Sequence, residues 1–355
     1  MTNLTIAIDC MGGDFGPSVT IPAIKFILSR QSKPSRSATK QTINFQLFGE
    51  KHALNHQLSS QKLINHPNIE VIPSEDDVSM NDKPSLALKK KKRSSMRLAL
   101  EAVRDGRAHA CVSAGNTGAL MTISRFVLKM LPGIDRPAII SALPTNVNGP
   151  VYLLDLGANV DCNEHRLAQF AIMGNELCKS IDGIESPKVG LLNVGEEEIK
   201  GSERLRQADR LIAKLDGINY CGFVEGNQIF CGDFQVIVTD GFTGNNVLKA
   251  SEGLSLFLLA KIKHAFQKNW WTKFIGLLAK PVMNLFKEEI NPELYNGACL
   301  IGLRGIVIKS HGSANVRATV SAIEEAILQS KQKIPNRIKQ SLDIASRTLE
   351  SVDLS

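Results

Sequence analysis

The chain repeats one local pattern: a short apolar run, a loop rich in Gly, Asn or Asp, and then apolar positions at helical spacing. LTIAI precedes DCMGGD, INFQLF precedes GE, ACVS precedes AGNTG, VYLLDL precedes GANVD, VGLLNV precedes GEEE and FQVIV precedes TDGFTGN. Runs that are apolar at every position belong to strands covered on both faces, and strands separated by helices predict a parallel sheet in an α/β protein. Loops at the carboxyl ends of such strands are where ligands bind. Two helices stand out. Ser94 to Gly106 places Met96, Leu100 and Val103 on one face and stops at Gly106, while His165 to Ser180 carries Leu167, Phe170, Ala171 and Leu177 at core spacing. Ser32 to Gln41 is polar and Pro/Ser-rich, as a loop is, and Pro335 marks a late helix boundary between Lys331 and Lys339.

The length of 355 residues suits one large α/β domain or two smaller ones, and 43% apolar with 22% charged residues excludes a disordered chain. Seven cysteines occur singly with no CxxC pair, which argues against a zinc or redox centre and for small apolar residues in a reducing cytoplasm. MTNLTIAIDC has no basic segment and no small-residue cleavage site, so it reads as a first strand rather than a signal peptide. The net charge of +7 suits an anionic partner. KKKKR (Lys89 to Arg93) reads as a solvated face, and with no aromatic residue interleaved it does not suggest nucleic acid.

There is no GxGxxG, P-loop, GxSxG elbow or HExxH helix. What remains is a set of anion-cradling loops. SAGNTGAL brings Ser113, Gly115, Asn116, Thr117 and Gly118 to the start of a helix, where free N–H groups and the helix dipole favour an anion. DGFTGNN, with Asp240, Thr243, Gly244 and Asn245, repeats that arrangement at what reads as an equivalent strand end. KSHG follows the apolar run GIVI and offers Lys309 as a point charge and His311 as a proton donor. The carboxylates of GEEE (Gly195 to Glu198) repel phosphate and read as favourable charge in the first turn of a helix, with Arg204 and Arg206 nearby.

DCMGGDFGP, SAGNTGAL, RPAI, LLDLGANVDC, FAIMG, LLNVGEEEIKG, DGFTGN, YNGACLIGLRG and VIKSHG occur in this order. Together they closely resemble the phosphate acyltransferases of bacterial phospholipid synthesis, the PlsX family, from about residue 4 to about residue 330. The resemblance implies a three-layer α/β/α fold with a mostly parallel sheet, related to phosphotransacetylases and isopropylmalate-type dehydrogenases. It implies a homodimer that moves a long-chain acyl group from acyl carrier protein onto inorganic phosphate. The acyl phosphate then serves a membrane glycerol 3-phosphate acyltransferase. Cys10, Asn246 and the basic KKKKR run depart from the usual pattern without removing a residue assigned to chemistry.

For that reaction phosphate is the nucleophile, so no serine or cysteine nucleophile is needed, and no cofactor or metal is implied. The expected roles are His311 as oxyanion stabiliser or proton donor to the thiolate, and Asn116 and Thr117 with adjacent N–H groups and Lys309 as phosphate holders. Gly12 and Gly13 let the first loop approach the site, while Asp9 and Asp14 fix flanking loops or orient Lys309 or His311. Asp240 and Asn245 shape the pocket.

Residues 1–340 read as one acyltransferase domain, with 254–290 a helical hairpin inserted in it and 341–355 a tail. No acidic residue lies between Gly253 and Lys287, and Lys273, Lys280 and Lys287 share one helix face while Trp271, Phe274, Leu278, Val282 and Leu285 line another. Pro281 kinks or divides that helix. With Trp270 beside Trp271, this segment suits contact with an anionic membrane surface, but its apolar runs are too short to span one. The same helices could serve as a dimer interface, and either basic patch could receive acidic acyl carrier protein. The expected location is therefore cytoplasmic, at the inner face of the membrane. Rival readings are an acyl-CoA-using phosphotransacetylase, a dehydrogenase of related fold, and a non-catalytic scaffold that binds acyl carrier protein.

Overall fold

Leu4, Ile6 and Ile8 join one apolar cluster while Ala7 joins another on the opposite side, and all four are buried. That is the signature of a strand with helices on both faces. A computed structural model describes residues 3–31, 42–147, 149–197, 199–289 and 296–352. Its strands are β1 (Leu4–Asp9), β2 (Ile43–Gly49), β3 (Ile69–Pro73), β4 (Ala110–Ser113), β5 (Ala138–Leu143), β6 (Val151–Leu154), β7 (Lys188–Leu192), β8 (Asn219–Val224), β9 (Val236–Val238), β10 (Ala298–Ile301) and β11 (Ile306–Lys309). The helices are α1 (Pro17–Gln31), α2 (Lys51–Ser60), α3 (Pro84–Lys90), α4 (Ser95–Arg104), α5 (Thr117–Leu128), α6 (Glu164–Asp182), α7 (Glu203–Ile212), α8 (Gly241–Gln267), α9 (Trp270–Leu278), α10 (Lys280–Glu289), α11 (Val316–Gln332) and α12 (Ile334–Val352).

The strands form one sheet in the order β3-β2-β1-β4-β11-β10-β5-β6-β9-β7-β8. Residues of α1, α2, α6, α7, α11 and α12 pack on one face, and residues of α3, α4 and α5 pack on the other, giving three α/β/α layers. Each half of the sheet is parallel within itself, but β10 runs antiparallel to β11 and β5, and β5 runs antiparallel to β6. The halves therefore point in opposite directions. This corrects one expectation: SAGNTGAL after β4 and DGFTGNN after β9 do not leave the sheet at equivalent ends.

The helices at 94–106 and 165–180 form as α4 and α6, with Met96 and Leu100 buried in one and Leu167, Phe170, Ala171 and Leu177 in the other. Asn163 caps the N–H of Arg166 at 3.0 Å, and Gly183, with φ of 69°, ends α6 in the left-handed conformation. The boundary marked by Pro335 falls at Lys333, between α11 and α12. Residues 341–352, expected as part of a tail, continue α12, and Leu342 is buried. The loop expected at 32–41 lies outside the described residues.

The segment read as a helical hairpin divided at Pro281 consists of three helices. α8 is continuous from Gly241 to Gln267, so the expected insertion begins inside it, and Asn269 starts α9 with a capping box to Thr272. Ala279 closes α9, with Pro281 near the start of α10. α9 folds back on α8, where a Cβ on Gly276 would come within 3.0 Å of Phe266. Trp270, Trp271, Phe274, Ile275, Leu277, Leu278, Val282 and Leu285 all remain exposed.

Candidate active site

Asp9, Ser113 and Lys309 end three neighbouring parallel strands and stand in one row: Asp9 is in register with Ser113, and Ser113 with Lys309. Asp9 is buried, with one carboxylate oxygen accepting from Ser95 Oγ at 2.6 Å and the other from Ser113 Oγ at 2.7 Å. Burial pushes its pKa up, while these hydroxyls and the N–H groups of Met11 and Gly12 pull it down. The glycines of DCMGGD serve close approach. A Cβ on Gly12 would stand 2.5 Å from the Gly115 nitrogen, and one on Gly13 would stand 2.8 Å from the Gly312 carbonyl oxygen, at a φ of 83°. Asp14 N–H donates to that carbonyl at 2.8 Å and Ser310 N–H donates to the Ser113 carbonyl at 2.9 Å. The first loop thus welds SAGNTG to KSHG. The cavity behind them measures only about 10 Å³, too small for more than a single water.

Lys309 Nζ donates to the Ala114 carbonyl at 3.4 Å and also to that of Ser310. Burial brings its pKa down to about 8; Asp9 and Asp14 oppose that shift, and Lys249 of α8 adds to it. His311 Nδ1 lies 2.9 Å from Ser313 Oγ and accepts the Ser313 N–H at 3.3 Å. A ring nitrogen that accepts an N–H leaves Nε2 as the donor of the neutral imidazole. Burial lowers the His311 pKa, joined by the charges of Lys249 and Lys309 and opposed by those of Glu252 and Asp14.

Other expected residues are already engaged. Asn116 caps α5, accepting the Ala119 N–H at 3.0 Å, while its Nδ2 donates to the carbonyls of Met80 at 2.7 Å and Asp82 at 3.1 Å. Both ends of its amide therefore make hydrogen bonds within the protein. The Ser113 hydroxyl is likewise committed to Asp9 and to Gly115 N–H at 3.1 Å. Thr117 is exposed, and the first-turn N–H groups of Thr117 and Gly118 have no intrahelical acceptor.

Asp240, Thr243, Gly244 and Asn245 belong to a different cluster. Asp240 caps α8 by accepting the Thr243 N–H at 2.8 Å, and its other oxygen pairs with Arg204 at 3.1 Å. Gly241 and Gly244 press on the backbone of Asn159 and Asp155, and Asn245 lies over Gly157. Asp155 is fully buried among the N–H groups of Ile139, Ala158 and Asn159. Lys249, which acts on Lys309 and His311, lies about 13 Å along α8 from the Asp240 cap. α8 thus links the two clusters. GEEE does not open a helix: α7 begins at Glu203, Glu196 accepts from Gln228 at 2.6 Å and Glu197 pairs with Lys200 at 2.8 Å, while Glu198 lies outside the described residues.

Sequence reasoning missed Ser95, Lys249, Glu252 and Asn296. Asn296 Oδ1 accepts the His311 N–H at 2.8 Å, and its Nδ2 donates to Ser310 Oγ at 2.8 Å and to the Ala318 carbonyl at 2.7 Å. It lies in the YNGACLIGLRG motif, which was its only signal. Lys249 and Glu252 had none, because the direction of α8 across the molecule is a tertiary fact. Among the described residues no group of three or more His, Cys, Asp or Glu is placed to hold a metal. Burial raises the thiol pKa of Cys10, Cys111 and Cys299, which keeps them protonated and unreactive.

The fold is that of phosphotransacetylases. The Streptococcus pyogenes phosphotransacetylase superposes with a TM-score of 0.62 at 14% identity, covering 93% of this chain and 94% of that one. The Staphylococcus aureus EutD phosphotransacetylase gives 0.58 at 15%, with the same coverage. The model of the family described as "Fatty acid synthesis protein" matches residues 4–337. The phosphate acyltransferase of Shewanella sediminis (strain HAW-EB3) is 48% identical over 343 residues, 97% of this chain and 98% of the relative. The chain belongs to this family of phosphate acyltransferases.

Proposed function

We propose that the protein transfers a long-chain acyl group from acyl carrier protein to inorganic phosphate and releases acyl phosphate for glycerol 3-phosphate acylation. The observation that carries the site assignment is that β4 and β11 end side by side at Ser113 and Lys309, with Ser113 bonded to Asp9, so that SAGNTG and KSHG leave the sheet together. Phosphate sits between Lys309 Nζ and the N–H groups of Thr117 and Gly118, where charge and helix dipole act together. One phosphate oxygen attacks the thioester carbonyl, the new C–O bond forms, and collapse of the oxyanion breaks the C–S bond. His311 Nε2–H hydrogen-bonds to the oxyanion, and the departing thiolate takes up the proton that hydrogen phosphate loses on becoming acyl phosphate. Phosphate is substantially dianionic near neutrality, so no strong base is required. Asn116 takes a positioning role here, and the cluster at Asp240 anchors α8, whose Lys249 and Glu252 set the charge around His311.

The same reading places the protein in the cytoplasm, at the inner face of the membrane, as a homodimer. Among the described residues no helix is long and apolar enough to cross a membrane. The exposed Trp270, Trp271, Phe274 and Leu278 give α9 the composition of an interfacial helix, and the base of the same arm receives a second copy. The test is formation of acyl phosphate from acyl-acyl carrier protein and labelled phosphate, with acyl-CoA in parallel. Phosphate-dependent turnover with the carrier donor supports the reading. Turnover with acyl-CoA alone replaces it with a phosphotransacetylase, and none with either donor leaves the scaffold.

A further inference from the structure

Helix α3 and the loop before it are fastened to the mouth of the Lys309–His311 site. Asn116 holds the carbonyls of Met80 and Asp82. A Cβ on Gly118 would stand 2.9 Å from Pro84 Cγ, so the first turns of α3 and α5 touch. Met80 reaches over Gly312, where a Cβ would lie 3.3 Å from its terminal methyl. The helix is a wall of the site, and it is only about 10 Å long.

Its outer surface is strongly basic. Lys83, Lys89, Lys90 and Lys92 are exposed and make no ion pair among the described residues. Their neighbours are engaged: Lys91 pairs with Asp82 at 2.6 Å and donates to the Asp77 carbonyl at 2.7 Å, while Arg93 pairs with Glu75 at 2.6 Å. Leu86 and Met80 are exposed among these lysines, with Ala87 buried beneath. Four unpaired like charges around two apolar side chains are unfavourable alone and complementary to an acidic surface with a small apolar centre.

We infer that this face of α3 docks the acidic surface of the carrier protein that delivers the acyl thioester, an inference that rests on the function proposed above. A carrier seated there presents its flexible acyl arm directly beside Thr117 and Lys309. Lipid is the poorer occupant: α3 has no aromatic side chain and only Leu86 projecting, whereas the tryptophans and the broad apolar face lie on α9.

The test replaces Lys89→Glu, Lys90→Glu and Lys92→Glu together, leaving the paired Lys91 and Arg93 intact. Four readouts are measured: KM for acyl-acyl carrier protein, KM for phosphate, turnover of acyl-pantetheine, and anisotropy-detected binding of labelled carrier protein without an acyl group. The expected result is a rise of about tenfold or more in KM and Kd for the carrier, with the phosphate KM and acyl-pantetheine turnover unchanged. Wild-type carrier binding should fall as salt is added, and the variant should show a weaker fall. The triple Lys→Arg variant should bind as wild type, and the triple Lys→Gln variant, if the charge reversal fails to fold, should fall between. Unchanged carrier binding would overturn the inference, as would an equal loss with acyl-pantetheine. Loss of co-sedimentation with phosphatidylglycerol vesicles while carrier binding stays intact would assign the face to lipid instead. Failure of wild type to make acyl phosphate would remove the catalytic reading, whereas the binding measurement judges the docking surface separately.

Discussion

At the scale of single residues, Lys309 decides the alkaline behaviour. Its pKa falls to about 8 because an ammonium loses hydration on burial, so the cation is present below that pH and lost above it. The phosphate KM should stay flat up to about pH 8 and then rise tenfold per pH unit, and Lys309→Arg, which cannot deprotonate, should remove that rise. The stability sign is opposite to that of an ion pair formed on folding. A base with a folded pKa below its unfolded value costs stability at low pH, and the cost fades as pH climbs from about 8 to the ordinary 10.5. Asn296 acts through position: Asn296→Ala should lower kcat about tenfold or more with little change in carrier KM, and Asn296→Asp, which keeps the acceptor for His311 N–H, should recover part of it.

Lys309, His311, Asp9, Gly12 and Gly13 were legible in the sequence because each lies in a short strand-end loop with its own chemical signal. For Asn116, Ser113 and Asp240 the sequence could not show which partners their polar atoms meet. Their polar atoms are satisfied by groups remote in sequence: the Met80 and Asp82 carbonyls, the Asp9 carboxylate and the Arg204 guanidinium. A lone polar residue in a glycine-rich loop looks the same whether it faces a ligand or a neighbouring loop.

At the scale of elements, the weld between the first loop and SAGNTG makes a sharp prediction. Gly12→Ala forces a Cβ to 2.5 Å from the Gly115 nitrogen and 2.9 Å from Asp9 Oδ2, contacts that only backbone movement relieves. It should lower stability by about 1–3 kcal/mol, measured by denaturant unfolding, and lower turnover further by displacing Ala114 and Gly115. Gly106→Ala, whose Cβ meets nothing within 4 Å but whose φ is 71°, is the control for conformational strain alone. The strands that patterning found are those buried along their length. It passed over β3 and β8, whose residues are partly exposed at the sheet edges, and β5 and β10, whose reversal turns the sheet around. Strand direction is set by pairing, so apolar runs could not show that the β4 and β9 loops face opposite ways.

For the whole molecule, α8 is the structural link: it begins against Asp155, passes Lys309 and His311 with Lys249 and Glu252, and ends in the exposed arm. Trp271→Glu with Phe274→Glu should cut co-sedimentation with anionic vesicles about tenfold or more, with little shift in melting temperature because both side chains are exposed. The proposed function holds phosphate at Lys309, in the half of the sheet that carries β1, β4 and β11. The direct measurement is the phosphate KM of Lys309→Met and of Arg204→Met at neutral pH, each with acyl-acyl carrier protein saturating. The expected result is a rise of about a hundredfold for Lys309→Met and a much smaller change for Arg204→Met, since Lys309 would supply a charge-assisted bond and Arg204 is committed to Asp161 and Asp240. An unchanged phosphate KM in Lys309→Met, with the large rise in Arg204→Met, would contradict it and move the phosphate site to the start of α8.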